Sequence, residues 1–192
     1  NKVGSYLCTN IKARIMKNRS LLGGLVLMGV LVAACGSKTI PNKAEAVQNF
    51  DKTKYLGKWY EIARLDFKFE KGLNNTTAEY SLRSDGKIKV DNKGYDYSKK
   101  EWEQSIGKAK FVGPENVAML KVSFFGPFYG GYNVIAIDDD YRYALIAGSS
   151  LKYLWILSRE PSIPENIKLQ YLKKAKEIGY NTADLIWVEH NK

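Results

Sequence analysis

Short segments that alternate apolar and polar side chains follow one another through most of this chain, and they constrain its fold more than any other feature. Alternation with a period of two residues is typical of β-strands, and turn residues such as Ser84-Asp85-Gly86 separate the segments. Eight consecutive strands at close spacing indicate a β-sandwich or an up-and-down barrel. The predicted strands cover residues 58–65, 76–82, 87–95, 101–112, 117–125, 132–137, 143–148 and 153–158.

One helix is predicted after the strands. Pro164 suits its first turn and Gly179 suits the position just past its end. Its apolar side should pack on the outside of the sheet, and a last short strand is expected over residues 185–189. The apolar stripe consists of Ile167, Tyr171, Ala175 and Ile178.

The N-terminal residues have the pattern of a secretory signal. Lys17 and Arg19 precede an uncharged run over 21–34, which is shorter than the roughly 20 residues that span a bilayer. We therefore expect residues 1–34 to be a signal peptide that is removed, and Met16 lies where a natural start would fall.

Leu31-Val32-Ala33-Ala34-Cys35 resembles the lipobox of bacterial lipoproteins. The resemblance implies that Cys35 carries an S-diacylglycerol and an N-acyl chain and becomes the first residue of the mature protein. Gly36 stands where inner-membrane lipoproteins carry Asp, so the outer membrane is the expected location. Residues 35–53 are polar and aperiodic, which predicts a flexible linker before a domain over 54–192.

The net charge of +10 is unevenly distributed. Residues 1–34 hold five of the thirty basic residues and no acidic residue, so their removal leaves a charge of +5. The remaining basic residues form no stripe and accompany no docking motif, and nucleic-acid binding is not expected.

Three segments resemble signatures of the lipocalin family. They are Gly57-Lys58-Trp59, the acidic turn from Asp138 to Tyr143, and Trp155 to Arg159, in family order and spacing. The loop over 124–132 resembles the bacterial branch, the apolipoprotein D-like outer-membrane lipoprotein lipocalins. The resemblance covers about residues 49–189.

This resemblance implies an all-β fold. It consists of an eight-stranded up-and-down antiparallel barrel with one C-terminal α-helix packed on its outside and a short ninth strand. It also gives Gly57, Trp59 and Arg159 structural roles, with Trp59 closing the barrel floor and Arg159 packing over the indole.

Small side chains on many strands favour a cavity inside the barrel, although large neighbours filling the space remain an alternative. These small residues are Ala78, Gly107, Ala109, Ala118, Ala136, Ala144 and Gly148. The resemblance sets which face of each strand points inward, Ala136 included. The residues expected to contact a ligand are Tyr80, Val90, Asn92, Ala109, Phe111, Leu120, Val122, Phe124, Tyr132, Val134, Ala144, Ile146, Tyr153, Trp155 and Leu157.

The resemblance implies a lipid-binding protein that stores or transports fatty acids or lysophospholipids, tethered to the outer membrane and facing the periplasm, with membrane maintenance under stress as a role. An enzyme is not expected, since Cys35 is lipidated and the only histidine, His190, lies near the end of the sequence. No metal or cofactor is expected. A third alternative is an interaction or homodimer module that uses the aromatic loop with Phe125, Phe128 and Tyr129.

Overall fold

Eight antiparallel strands close into a barrel in the computed structural model, which describes residues 39–192. Each strand pairs with the next along the chain, β1 closes the ring by pairing with both β8 and β2, and β9 extends it beside β1. No helix in this part of the chain is long and apolar enough to cross a membrane. The strands are β1 (Gly57–Leu65), β2 (Leu73–Leu82), β3 (Ile88–Asp96), β4 (Glu101–Phe111), β5 (Met119–Ser123), β6 (Gly130–Ile137), β7 (Tyr143–Ala147), β8 (Leu154–Ser158) and β9 (Leu185–Trp187).

The predicted fold is confirmed. All eight barrel strands, the C-terminal helix and the ninth strand occur in the predicted order, and only their ends move. A short helix α1 (Lys52–Tyr55) precedes β1, and the predicted helix is α2 (Glu165–Ile178). Gly179 ends α2 with a φ of 115°, a conformation that glycine adopts at no steric cost.

Two apolar clusters divide the core. The outer cluster joins α2, through Tyr171, Ala175 and Ile178, to outward-facing side chains of the barrel such as Leu145 and Ile156. The inner cluster lies within the barrel and contains mostly aromatic and β-branched residues. The helix therefore protects one wall of the barrel from water without occupying its interior.

The expected inward position of Ala136 is wrong because of a β-bulge. The pairing of β6 with β7 shifts register between Val134 and Ala136. Val134 belongs to the inner cluster, whereas Ile135 and Ala136 both pack in the outer one, and Ile137 returns to the interior. The extra residue breaks the two-residue alternation from which the position of Ala136 was predicted.

The flexible linker expected over 35–53 is wrong for residues 39–53. Ala44, Ala46 and Phe50 are buried there, and the backbone of Val47 bonds to that of Val134 in β6 and to that of Ala118. This segment lacks periodicity because it is irregular, yet its backbone groups are paired and its apolar side chains are packed. The predicted signal over 1–34, Met16 and the lipidated Cys35 lie outside the described residues.

Arg159 holds the closed end of the barrel together. Its guanidinium carbon lies 3.9 Å from the centroid of the Trp59 ring, and Trp59 donates its indole N–H to the Tyr55 carbonyl at 2.8 Å. The guanidinium also donates hydrogen bonds of 2.8–3.2 Å to five backbone carbonyls, those of Lys54, Tyr55, Leu56, Lys58 and Tyr141.

Gly57 is part of the same arrangement. Its φ of 94° is left-handed, and a Cβ at this position would lie 3.4 Å from Nη1 of Arg159. The structural roles that the resemblance implied for Gly57, Trp59 and Arg159 therefore have a direct geometric basis.

Replacing Arg159 by lysine should lower the free energy of unfolding by about 2 kcal/mol. A single ammonium group cannot reach carbonyls in α1, β1 and the turn before β7 at the same time. Urea denaturation followed by tryptophan fluorescence measures the loss. Arg83→Lys, at a half-exposed hairpin position, is the matched control and should change stability by less than about 0.5 kcal/mol. Equal stabilities of the two variants would contradict this role.

Candidate functional site

A cavity of about 720 Å³ lies inside the barrel, and it extends from the ring of Tyr55, which packs on Trp59, to exposed rings at the other end. This volume is within the range of sites that hold small organic ligands. It opens at one end, which we call the mouth, between segments 66–72, 124–129 and 148–153. Apolar and aromatic side chains form most of the wall.

Eleven of the fifteen expected ligand contacts line this cavity. They are Tyr80, Val90, Asn92, Ala109, Leu120, Val122, Phe124, Tyr132, Tyr153, Trp155 and Leu157. The other four, Phe111, Val134, Ala144 and Ile146, do not line it. These four pack in the inner cluster that includes Trp59, because the closed half of the barrel is filled with side chains.

Three tyrosine hydroxyls form a polar patch on the cavity wall. The hydroxyl of Tyr132 lies 2.6 Å from that of Tyr55 and 2.7 Å from that of Tyr80. Burial raises the pKa of all three phenols, so they remain neutral. Three hydroxyl protons serve two mutual hydrogen bonds, which leaves one O–H available to a ligand acceptor.

The small residues have two different roles. Ala78 and Ala109 line the cavity and leave space in it. Gly107 does not, since a Cβ there would lie 2.8 Å from the ring of Phe124, and Gly148 is similarly covered by Tyr153. Both explanations that the sequence left open therefore apply, at different positions.

A cluster of buried charged side chains, formed by the end of β1 and by segment 66–72, was not predicted. Arg64 Nη1 donates to the carboxylate of Glu61 at 2.7 Å, and its Nη2 donates to the carbonyls of Glu70 and Leu73 at 2.7 and 3.0 Å. Glu70 also accepts a 3.1 Å hydrogen bond from the indole of Trp155. Glu61 lies two positions after the inward-facing Trp59 on β1, so both side chains point to the same face of the strand. This alternation is the signal that could have identified Glu61 as an inward-facing residue.

Burial shifts the acid–base behaviour of both carboxyl groups. Removal from water raises the pKa of Glu61 to about 8, and the negative charge of Glu70 adds to the effect against the opposing charge of Arg64. Burial also raises the pKa of Glu70, while the hydrogen bond from Trp155 and the charge of Arg64 lower it. The cavity wall therefore contains carboxyl groups that are costly to ionise.

Exposed aromatic rings surround the mouth. Phe69, Phe125 and Phe128 are 61%, 68% and 78% exposed and also line the cavity. Lysine ammonium groups lie beside neighbouring rings, with Lys68 4.6 Å from the Phe69 centroid. Lys110 and Lys121 lie 5.2 and 5.4 Å from the ring of Tyr129.

His190 takes no part in the cavity. Its Nε2 lies 2.8 Å from the backbone oxygen of Glu61, and its ring meets Tyr60 edge-on on the outside of the barrel. Within residues 39–192, no group of three or more His, Cys, Asp or Glu side chains is placed to hold a metal ion.

A closed barrel with a floor held by arginine over tryptophan, and an apolar cavity open at one end, defines a class of small-ligand-binding β-barrel proteins. Residues 50–190 match the family model described as a lipocalin-like domain, and this chain belongs to that family.

Relatives within the family are close. The chain is 54% identical to outer membrane lipoprotein Blc of Citrobacter freundii, over 85% of this chain and 93% of the relative. It is 46% identical to the protein of the same name from Vibrio cholerae, over 86% of this chain and 96% of the relative. These names agree with the outer-membrane location predicted from the sequence.

Solved structures support the fold. Insecticyanin from the tobacco hornworm Manduca sexta matches with a TM-score of 0.63 and 20% identity, over 82% of this chain and 91% of that one. At this level of identity the match concerns the barrel architecture alone.

The raised pKa of Glu61 predicts a pH dependence of stability. A carboxyl group whose pKa rises on folding stabilises the fold below its unfolded value near 4.5, and this contribution is lost as the pH rises toward 8. Wild-type protein should therefore lose about 3.5 kcal/mol relative to Glu61→Gln between pH 5 and pH 8. Urea denaturation at several pH values measures this difference. Glu79→Gln, which removes an exposed carboxyl group, is the control, and its difference from wild type should stay constant with pH. A constant difference between wild type and Glu61→Gln would contradict the assignment.

Proposed function

We propose that this protein binds single-chain lipids, fatty acids or lysophospholipids, and stores or transports them at the outer membrane. The observation that carries the proposal is the apolar cavity of about 720 Å³ with an open mouth. Each methylene group that leaves water for such a cavity contributes about 0.8 kcal/mol. Binding, rather than catalysis, is the function that this geometry supports best.

The position of Thr39 supports a membrane-tethered carrier. Thr39 accepts a hydrogen bond from the side chain of Asn133, and its carbonyl lies over Gly131, which belongs to the cavity lining near the mouth. Cys35 precedes Thr39 by four residues, and four residues of chain span at most about 14 Å. A lipid on Cys35 would thus keep the mouth close to the membrane that supplies the ligand, on the periplasmic side.

The aromatic mouth suits contact with a lipid surface. Phe69, Phe125 and Phe128 expose rings that carry no polar group, and nearby lysines would face anionic headgroups. Homodimerisation through the same rings stays a prediction.

Filling the cavity should weaken lipid binding. Val122 lines the cavity, so Val122→Trp would remove space for about two methylene groups and lower affinity about tenfold. Titration of the purified protein with a fatty acid and with a lysophospholipid, followed by fluorescence, measures this loss. Val112→Trp adds the same indole at an exposed position outside the cavity and should bind like wild type. An absence of saturable binding by the wild-type protein would overturn the proposal.

Removal of one mouth ring should weaken contact with membranes. In a Cys35→Ser background, which lacks the lipid anchor, Phe128→Ser should reduce co-sedimentation with phosphatidylglycerol vesicles about tenfold. Leu169→Ser, at an exposed apolar position on α2, is the matched control and should have no effect. Unchanged vesicle binding together with a smaller apparent size on gel filtration would instead assign Phe128 to a dimer contact.

A further inference from the structure

The charge inside the cavity has the opposite sign to that of the whole protein. The chain has a net charge of +10, yet Glu61, Glu70 and Glu103 line the cavity and only Lys93 among the described lining residues opposes them. In the register of β3 and β4, Lys93 lies opposite Gln104 and Glu103 lies opposite Gly94. Glu103 forms an ion pair with Lys99, which leaves Glu61 and Glu70 as the distinctive ionisable pair.

Arg64 does not neutralise this pair. One guanidinium serves two carboxyl groups, at 2.7 Å from Glu61 and at 3.9 Å from Glu70. Arg64 itself does not line the cavity, so the carboxyl groups stand between it and any ligand. When both carboxyl groups are ionised, this wall carries one negative charge more than Arg64 offsets, and a bound cation favours that ionised state.

Two further polar atoms on the same wall lack a partner. Thr76 is 4% exposed and lines the cavity, and its hydroxyl has no hydrogen-bond partner among residues 39–192. Thr76 and Glu61 are the chain neighbours of Thr77 and Tyr60, which form the last pair of β1 with β2. The side-chain oxygen of Asn92, across β2 on β3, is likewise buried without a donor in the described part of the chain. The Asn92 oxygen is an acceptor and the Thr76 hydroxyl can accept as well as donate, so the N–H groups of a ligand would satisfy both.

Aromatic rings complete the surroundings of Glu70. The ring of Phe67 lies 5.7 Å from that of Trp155 and 5.8 Å from that of Tyr153, edge-on in both cases. Tyr153 and Trp155 stack on each other, and Trp155 donates to Glu70. Rings clustered beside carboxylates are favourable surroundings for an organic cation.

We propose that Glu61, Glu70 and Thr76 form a subsite for the primary ammonium group of a single-chain amphiphile whose hydrocarbon chain lies in the cavity. This inference rests on the lipid-binding function proposed above and adds to it a selectivity for the headgroup. An ammonium group supplies three donors and one positive charge, which match the acceptors and the excess charge of the wall. A carboxylate at the same place would be repelled by the carboxylate of Glu70 and by Glu61 once that group ionises, and only the Thr76 hydroxyl would offer it a donor.

The same geometry predicts a linkage between binding and protonation. Burial raises the pKa of Glu61 to about 8, and a bound ammonium would favour its ionised form, so that binding near pH 7 releases a proton. The other charged or titratable groups near this wall are Arg64 on β1, Asp66 and Glu70 in the following segment, Tyr80 on β2, and Lys93 and Glu103 on β3 and β4.

Three ligands with the same chain test the proposal. Decylamine, decanol and decanoic acid differ only in their headgroup, and each is titrated into the purified protein by calorimetry at pH 7. Decylamine should bind about tenfold more tightly than decanol, and decanoic acid should bind least tightly. The enthalpy of decylamine binding should vary with the ionisation enthalpy of the buffer, while that of decanol should not.

Variants separate charge recognition from packing. Glu61→Gln, and independently Glu70→Gln, should reduce the ratio of amine to alcohol affinity at least fivefold, whereas the exposed Glu79→Gln should keep the wild-type ratio. Decanol binding without an amine preference, or an amine preference that survives both cavity variants, would overturn the subsite. Failure of all three ligands to bind would instead overturn the lipid-binding function itself.

Discussion

The contact of Arg159 with Trp59 and five backbone carbonyls is the interaction on which the rest of the barrel depends. These carbonyls come from α1, from the start of β1 and from the turn before β7, so one side chain joins segments that are distant in sequence. Because this end is closed by directional hydrogen bonds and by the ring of Trp59, the barrel is densely filled there. The cavity opens at the opposite end, between segments 66–72, 124–129 and 148–153.

The charged cluster in the cavity wall follows from the way in which β1 leaves β2. The two strands pair only between Gly57–Tyr60 and Thr77–Tyr80, after which β1 pairs with β9 instead. Arg64 donates to the carbonyls of Glu70 and Leu73 on the side where β2 has separated. The buried guanidinium of Arg64 supplies the hydrogen-bond donors that these carbonyls no longer receive from a neighbouring strand. Its positive charge is in turn offset by the nearby carboxyl groups. The acidic wall is a consequence of the open geometry of this part of the barrel.

The sequence predicted the parts of the structure that have a regular period. Strand order, the helix between Pro164 and Gly179 and most of the inward-facing positions follow from alternation, from capping residues and from the lipocalin resemblance. Ala136 was misplaced because a bulge is invisible to a fixed two-residue period. Glu70 lies in a connection without any period, and residues 39–53 pack irregularly, so neither was accessible to pattern analysis. Glu61 was accessible, but a charged residue on an inward face is not expected unless its partner Arg64 is also placed inside.

The ionisable side chains are basic at the mouth and acidic in the wall below it, and this difference matters for the choice of a ligand's headgroup. Lysines accompany the rings at the mouth, whereas carboxyl groups face the cavity under Phe67 and Trp155. The free energy gained by burying a hydrocarbon chain depends on its apolar area and hardly on the headgroup. It therefore cannot discriminate between lipids of equal length. Buried polar groups discriminate strongly, because a wrong headgroup leaves them unpaired. In the proposed function, the apolar wall therefore sets how tightly a chain is held, while the few buried charges beside it set which headgroup is accepted.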